Sequence, residues 1–251
     1  MIRDNTSNVS QLFVQQREDL TAAFRWFARL NWHEAHANHF SVAVNDSGSK
    51  FLINPAGRHF ANVRASELLL LDADDPTTID KSDAPDPTAW HIHSAVHRNI
   101  PHALCVMHLH SPAVLVLASL EDRIMPPIEN NTARFFNRVA VDDAFDGMSL
   151  SEGEGDRLTA CIGDKSVLLL GNHGVLGVGE SVAQTFDDLY YFERACQTYI
   201  SALSTGKSLS ILSDEVAEKT ARQWAEYDGF AESHLREVRE ILDREEPDYK
   251  E

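Results

Sequence analysis

Residues 104–120 constrain the fold of this chain more than any other stretch of its sequence. Residues 104–109 are rich in strand-forming side chains, and Ser111-Pro112 then supplies a helix N-cap with proline in the first turn. A buried strand must therefore pass at once into a helix that runs to about residue 120. His108 and His110 lie at the carboxyl end of this strand, at the spacing that directs two side chains to the same face of a sheet.

Helical and strand-like segments alternate along the rest of the chain. Apolar spacing and capping residues predict helices over residues 11–30, 88–98 with Thr88 as the N-cap, 151–162, 181–204 and 213–244. Alternating apolar residues predict a β-hairpin from residues 40–44 and 51–53, and strands at 167–170 and 175–178. Residues 65–68 resemble a short helix start, and 72–87 an acidic, proline-rich loop. With no internal repeat and no linker, residues 1–251 are expected to form one domain.

The composition is that of an ordinary globular protein. Of the 251 residues, 43% are hydrophobic and 24% are charged, which excludes collagen, a coiled-coil rod and a disordered tail. No apolar run reaches the roughly 18 residues of a membrane span, and the first 20 residues lack a secretory signal, so we expect a cytoplasmic protein without membrane contact. The three cysteines are far apart, which argues against a disulfide framework and a thiolate zinc site.

The net charge excludes one further class of partner. The chain has 22 basic and 39 acidic residues, which give a formal net charge of −17. This charge repels nucleic acid and anionic lipid, and no basic patch compensates for it. We therefore expect neither nucleic acid nor a membrane among the partners.

Three histidines are candidates for a metal site. His108 and His110 can direct two imidazoles at one point, and the tight turn Gly171-Asn172-His173-Gly174 presents a third. Three histidine ligands with one open position are what a catalytic divalent metal requires, because the open position holds water or a substrate oxygen. The alternative is that His108 and His110 are an ordinary pair of surface or core histidines.

Other histidines lie near this strand in the sequence. His93 and His97 are four residues apart and are therefore neighbours on one face of the predicted helix. They are candidates for ligands or acid/base groups; in the alternative, His93 is buried and bonded to the backbone. His39 follows Asn38 just before the first strand, where a polar loop can meet a substrate anion.

The charged segment after residue 213 carries an apolar stripe of Leu235, Val238, Ile241 and Leu242. The rest of this segment is expected to be a solvated helix face. The stripe needs a partner, which is either the body of this chain or a neighbouring subunit.

Five motifs follow one another in a distinctive order along the chain. They are Asn38-His39-Phe40-Ser41, Asn54-Pro55-Ala56-Gly57, Pro87-Thr88-Ala89, His108-Leu109-His110-Ser111-Pro112 and Gly171-Asn172-His173-Gly174. The chain ends with Leu242-Asp243-Arg244 and Pro247-Asp248-Tyr249. Together these segments resemble the class II aldolase/adducin family nearly from end to end, and the tail is similar to that of its bacterial adducin-like branch.

The resemblance implies an α/β fold of three layers, α/β/α, with a central, mostly antiparallel sheet. It implies a homotetramer with active sites at subunit interfaces, and a small-molecule substrate. It also implies a divalent metal on His108, His110 and His173, most often zinc, although iron, manganese and cobalt accept the same ligands. In the sugar-phosphate aldolases of the family, the metal acts as a Lewis acid on the substrate and a glutamate moves the proton.

The chain departs from the family's pattern at several positions. Ala89 stands where the family has its acid/base glutamate. His39, Gly57 and Thr88 fall in the segments that bind substrate phosphate, but His39 replaces an asparagine and Pro87-Thr88 replaces two serines. A phosphate dianion would lose charge-assisted hydrogen bonds of about 1.5–3 kcal/mol each. An unphosphorylated substrate is therefore expected, bound by His39, Gly57 and Thr88.

Two classes of function follow from the resemblance. The first is a metal-dependent lyase that cleaves a C–C bond, by retro-aldol reaction or decarboxylation, in a hydroxy-carbonyl or hydroxy-acid substrate. Decarboxylation tolerates Ala89 better because it needs only a proton donor, for which His93 or a tyrosine of a neighbouring chain such as Tyr227 is the candidate. Sugar epimerases and dehydratases of the family are a further alternative. The second class is a non-catalytic, adducin-like binding and assembly domain, which Ala89 and the tail favour.

Overall fold

A sheet of seven strands forms the central layer of the computed structural model, which describes residues 13–82, 84–145, 147 and 152–251. In chain order the strands are β1 His39–Ala43, β2 Lys50–Ile53, β3 Leu69–Asp72, β4 Cys105–Leu109, β5 Val139–Asp142, β6 Val167–Leu170 and β7 Gly174–Gly179. Their order across the sheet is β3-β2-β1-β4-β7-β6-β5. Neighbouring strands are antiparallel except for β5 and β6, which are parallel. The expectation of a mostly antiparallel central sheet is confirmed.

Helices cover both faces of this sheet. In chain order they are α1 Val14–Arg29, α2 Pro87–Asn99, α3 Pro112–Ala118, α4 Asn130–Arg134, α5 Glu152–Ile162, α6 Val182–Ser204, α7 Asp214–Ala225 and α8 Phe230–Glu245. Successive residues of a strand point to opposite faces. On one face, Phe40 and Met107 belong to a core shared with α1, α3, α6 and α8. On the other, Val106 packs with Ile92 of α2 and Leu158 of α5. The three-layer α/β/α architecture is thus confirmed.

Most segments that the sequence predicts are present, with shifted ends. The expected hairpin is formed by β1 and β2, and the loop expected over residues 72–87 contains one 3-10 turn, Thr78–Asp80. Two of the predicted helices start at residue 11 and at residue 151. Residues 11, 12 and 151 lie outside the described ranges. β3, β5 and α4 have no counterpart among the predicted segments.

The N-cap of α2 differs from the expectation. The helix begins at Pro87, and its N-cap is Asp86 rather than Thr88. The Asp86 carboxylate accepts hydrogen bonds from the backbone N–H groups of Thr88 at 2.9 Å and Ala89 at 3.4 Å. Its negative charge also favours a helix N-terminus, and proline suits the first helical position. The assignment of Thr88 as the N-cap was therefore wrong.

The single helix expected over residues 213–244 is in fact two helices. α7 ends at Ala225 and α8 begins at Phe230, with Gly229 between them in the left-handed region at φ 72°. Glycine adopts this conformation without steric cost, so the chain can turn there. Leu235 and Val238 of the apolar stripe belong to the main core. The partner of the stripe is therefore the body of this chain.

The helices and the cysteines bear on two of the features considered from composition. Within the described ranges, no helix combines the length and apolar character that crossing a bilayer requires. Cys105, Cys161 and Cys196 are all unpaired. Cys105 and Cys196 are buried, where they act as small apolar side chains.

Candidate metal centre

The three histidines singled out in the sequence lie together at one end of the central strands. His108 is in β4, His110 directly follows it, and His173 lies in the turn between β6 and β7. One ligand nitrogen from each ring lies within 4.8 Å of the other two. The Nε2 atoms of His108 and His110 are 2.9 Å apart, and the ring centroids of His108 and His173 are 4.8 Å apart. The antiparallel pairing of β4 with β7 brings the turn to the strand end.

A glycine makes room for this arrangement. A Cβ atom at Gly174 would stand 2.5 Å from the carbonyl oxygen of Leu109 and 2.8 Å from Cδ2 of His110. Both distances are shorter than real Cβ contacts, so any larger residue would push the His110 ring away. The glycine of the Asn-His-Gly motif therefore serves His110 as well as the turn that carries His173.

The protonation of the three rings suits a metal. Nδ1 of His108 donates a hydrogen bond to the carbonyl oxygen of Val175 at 3.0 Å, which leaves the lone pair on Nε2. Burial lowers the pKa of His108 well below its ordinary range, that of His110 to about 4, and that of His173. The rings are therefore neutral near pH 7, which is the form that binds metal.

The donor set fits a divalent metal such as zinc. Zinc binds imidazole nitrogen at about 2.0–2.1 Å, so two such ligands on a tetrahedral ion stand roughly 3.3 Å apart. The nitrogen atoms of His108, His110 and His173 come within 2.9–4.8 Å of one another, and shifts of about 1 Å reach this geometry. Three protein ligands also leave one position open, as in catalytic rather than structural sites.

A fourth histidine lies against the three. His39 is paired with His108 across β1 and β4, and the two ring centroids are 4.9 Å apart. Nδ1 of His39 shares a hydrogen bond of 2.8 Å with Nε2 of His93. His39 is 4% exposed, and burial lowers its pKa to about 3. His39 is thus a neutral imidazole at the edge of the cluster.

A buried chain of polar side chains continues inward from His39. Nδ1 of His93 lies 2.5 Å from the Ser41 hydroxyl oxygen, which lies 2.7 Å from Nε2 of His97. Burial lowers the pKa of His93 well below its ordinary range and that of His97 to about 4. His93 is completely buried and both of its nitrogens are engaged, with side chains rather than with the backbone.

Comparison with known proteins assigns the chain to a family. The sequence model described as "Class II Aldolase and Adducin N-terminal domain" matches residues 18–200. The chain belongs to the class II aldolase/adducin family. A putative aldolase class 2 protein of Caulobacter vibrioides is 33% identical over 216 residues, which cover 86% of this chain and 83% of that protein. Decarboxylase NovR of Streptomyces niveus is 28% identical and matches 85% of this chain and 81% of its own length.

Structural comparison agrees with this membership. The solved structure of an aldolase II superfamily protein from Pseudomonas syringae has a TM-score of 0.86 to this chain at 32% sequence identity. The match covers 98% of each chain. The fold around the three histidines is therefore that of class II aldolase/adducin proteins.

The structure also gives the surroundings of Ala89, which departs from the class II aldolase/adducin pattern, and of the expected substrate-binding residues Thr88 and Gly57. Ala89 is 1% exposed and packs with Phe51 and Trp90 in a small apolar cluster. The Thr88 hydroxyl donates to the Asp86 carboxylate. Gly57 lies in an exposed turn at φ 71°, with no atom within 4 Å of an added Cβ. Among the described residues, no hydrogen bond joins Gly57 or Thr88 to the three histidines.

Two carboxylates near His173 carry no signal in the sequence. Asp142 and Glu154 line a small cavity with His173, and Arg157 bonds to both, at 2.6 Å and 2.8 Å to Asp142 and 2.6 Å to Glu154. Their negative charges partly oppose the effect of burial on the pKa of His173. They come from β5 and α5, which the pairing of β5 with β6 and the packing of α5 on the sheet bring to this point.

A separate cavity lies away from the three histidines. It has a volume of about 670 Å³, and its lining includes Arg134, Trp224 and Tyr227 but none of the three histidines. Arg134 donates to Asp187 and Asp188, at 2.7 Å each, and lies over the Trp224 ring. Tyr227, the tyrosine named as a proton donor from a neighbouring chain, is 63% exposed at this cavity.

Proposed function

We propose that this protein is a divalent-metal-dependent lyase that cleaves a C–C bond in an unphosphorylated hydroxy-carbonyl or hydroxy-acid substrate, by retro-aldol reaction or decarboxylation. The observation that carries the proposal is the convergence of His108, His110 and His173 within 4.8 Å. Membership in the class II aldolase/adducin family supports it, and the similarity to a protein named as a decarboxylase favours the decarboxylation branch.

The metal is proposed to be zinc, held by His108, His110 and His173. Iron, manganese and cobalt also accept imidazole, so the ligand set alone does not select among them. A metal bound there would supply Lewis-acid polarisation of the substrate oxygens. The hydrogen bond from His108 to Val175 fixes which nitrogen of that ring is offered.

The proton is proposed to move through His39. Its Nδ1 is engaged by His93, so Nε2 is the ring nitrogen left for substrate. The single hydroxyl proton of Ser41 goes to His93 or to His97, and Ser41 accepts from the other. The protons of this hydrogen-bonded chain of side chains therefore have two neutral arrangements. In one of them Nε2 of His39 has a lone pair, and in the other it has a proton. His93 remains the proposed catalytic histidine, and it is proposed to act through His39 because it is completely buried and both of its ring nitrogens are engaged.

The substrate is proposed to be bound by His39, Gly57 and Thr88. Thr88 offers its hydroxyl oxygen as an acceptor, since the proton is donated to Asp86, and Gly57 offers backbone without a side chain. Ala56 and Pro87 add no side-chain donor, so a phosphate group would be left short of hydrogen bonds. Ala89 supplies no carboxylate, and decarboxylation is the branch that needs none, since only proton delivery follows bond cleavage.

The domain organisation, the oligomeric state and the location belong to the same proposal. We infer one domain over residues 1–251, a homotetramer, and a cytoplasmic location. The net charge of −17 argues against nucleic acid as a partner. Light scattering measures the mass in solution, and a mass other than four chains would contradict the tetramer.

The test of the proposed function counts metal ions. Elemental mass spectrometry of the purified protein is expected to find about one ion per chain in the wild type and none in His110→Ala. His36→Ala, at an exposed histidine, is the matched control and keeps its metal. Hydroxy-acids and hydroxy-ketones are then screened for metal-dependent release of carbon dioxide or an aldehyde.

A second function is favoured by one observation. Ala89 stands in an apolar cluster where the aldolase pattern has a glutamate, as suits a domain used for assembly rather than catalysis. If the protein binds no metal after reconstitution with zinc, iron and manganese, the lyase proposal is wrong. An adducin-like assembly domain is then the better account.

A further inference from the structure

A side chain from another loop holds the turn that presents His173. Nε of Arg123, which follows α3, donates to the carbonyl oxygen of Ala118 at 2.8 Å, and Nη2 donates to Oδ1 of Asn172 at 2.9 Å. The backbone N–H of Asn172 donates to the same Ala118 carbonyl at 2.8 Å. The guanidinium, the carbonyl and the Asn172 carboxamide thus close a ring of hydrogen bonds one residue before His173.

The guanidinium also packs directly on the backbone of this turn. A Cβ atom added at Gly171 would stand 3.1 Å from Cζ and Nε of Arg123, and 2.9 Å from the carbonyl oxygen of Asp142. Glycine at position 171 therefore leaves the space that Arg123 occupies. The Arg123 side chain is only 15% exposed, so most of its surface is buried.

The turn needs support from outside. Asn172 has φ 58°, a left-handed conformation that residues with a Cβ atom rarely adopt, although asparagine tolerates it better than most. His173 is half-buried, with its neighbour Asn172 exposed to solvent. Displacement of a metal ligand by about 1 Å is enough to loosen a site, so a ligand on an exposed turn must be held by its surroundings.

We propose that Arg123 is a positioning residue for the third metal ligand and acts on His173 through Asn172. The inference rests on the proposed metal centre. Arg123 touches neither metal nor substrate in this role; it fixes the backbone from which the His173 ring projects. Its planar guanidinium makes bonds to Ala118 and Asn172 in fixed directions, which a lysine ammonium does not reproduce.

The experiment measures three quantities. They are zinc affinity by competition with a chromophoric chelator, the visible spectrum of the cobalt(II)-loaded protein, and the melting temperature of the metal-free protein. Arg123→Gln is expected to weaken zinc binding roughly 10–100-fold, the range found for residues that orient metal ligands. It is also expected to change the cobalt spectrum while the metal-free melting temperature stays that of the wild type. Arg123→Lys is expected not to restore the affinity.

A control separates this role from the general charge of Arg123. Nη1 of Arg123 also bonds to Asp143, whose side chain is 70% exposed. Asp143→Asn removes that ion pair and leaves the bonds to Ala118 and Asn172 in place. It is expected to leave zinc affinity unchanged, and a loss as large as that of Arg123→Gln would overturn the proposal.

A second variant removes the bond between Arg123 and Asn172 by changing Asn172. Asn172→Gly lacks Oδ1 but adopts the left-handed conformation without strain. It is expected to weaken zinc binding in the same direction as Arg123→Gln does. The double variant is expected to be no weaker than Arg123→Gln alone, because that variant already removes the bond between Arg123 and Asn172.

The outcomes distinguish this inference from the proposed function. Wild-type affinity in Arg123→Gln, or additive losses in the double variant, overturns the positioning role. So does a lower melting temperature with unchanged affinity and cobalt spectrum, since that result shows a structural role alone. A wild-type protein that binds neither zinc nor cobalt overturns the metal centre itself.

Discussion

Nδ1 of His39 and Nε2 of His93 share a hydrogen bond of 2.8 Å, although the two residues are 54 positions apart in the chain. This bond joins the edge of the candidate metal centre to a buried polar chain that ends at His97. Loss of a bond within such a chain is costly, because it leaves a polar group unpaired in the interior. The predictions for the histidines follow from this property.

Ser41→Ala is expected to destabilise the fold. The substitution removes the hydroxyl between His93 and His97 and leaves two buried ring nitrogens without that partner. Each unsatisfied group costs about 1–3 kcal/mol. Urea unfolding measures the loss, with Ser201→Ala at an exposed position of α6 as the control. A Ser41→Ala variant as stable as Ser201→Ala would show that the buried hydrogen-bonded side chains contribute nothing to stability.

Acid is expected to destabilise the metal-free protein below about pH 6.5. Burial lowers the pKa of His39 to about 3 and of His97 to about 4, from an ordinary value of 6.5. The unfolded chain therefore binds more protons than the folded one in this window, so stability is full above pH 6.5 and falls toward pH 4. Each such histidine costs roughly 2 kcal/mol at pH 5.

The variant His97→Gln tests the origin of this pH dependence. Glutamine keeps a polar group near Ser41 but does not titrate. Urea unfolding at pH 7 and pH 5 should show a smaller loss of stability on acidification than in the wild type, by about one histidine's share. An unchanged loss would place the titrating groups elsewhere.

Gly174→Ala is expected to disrupt the candidate metal centre. The added methyl would meet the Leu109 carbonyl at 2.5 Å and the His110 ring at 2.8 Å, so the strand pairing or the ring must move. The expected results are lower stability and weaker zinc binding, measured by thermal unfolding and chelator competition. Gly153→Ala in α5 meets no atom within 4 Å and should keep wild-type zinc binding with equal or slightly greater stability. Equal behaviour of the two variants would contradict the assigned role of Gly174.

Tyr249→Ala is expected to cost about 3–5 kcal/mol, as for other buried aromatic residues. Tyr249 is completely buried in the main core, and its hydroxyl donates to Asp243 at 2.9 Å. The free energy of unfolding measures the effect. Tyr227→Ala, at a tyrosine that is 63% exposed, is the control and should lie within about 0.5 kcal/mol of the wild type. A small effect at Tyr249 would mean that the tail does not anchor the fold.

Features set by neighbouring residues could be predicted from the sequence. The hairpin of β1 and β2 follows from alternation and turn chemistry, both of which act over a few residues. The break between α7 and α8 was missed because the charged pattern continues on both sides, although Asp228-Gly229 is a turn signal in the sequence. The N-cap of α2 is Asp86 and not the predicted Thr88. Both residue types can cap a helix, and only the path of the backbone decides which of them does so.

The candidate site divides in the same way. The sequence by itself determined the strand that carries His108, the helix that begins after Ser111, and the glycine-flanked turn that exposes His173, because period, capping and turn residues are local properties. Only the tertiary structure decided which histidines meet. The pairing of β4 with β1 and β7 placed His39 and the His173 turn beside His108, and the packing of α2 on the sheet placed His93 and His97 against Ser41. The physical reason is that these contacts join residues more than 50 positions apart, and strand register and helix packing depend on the whole core.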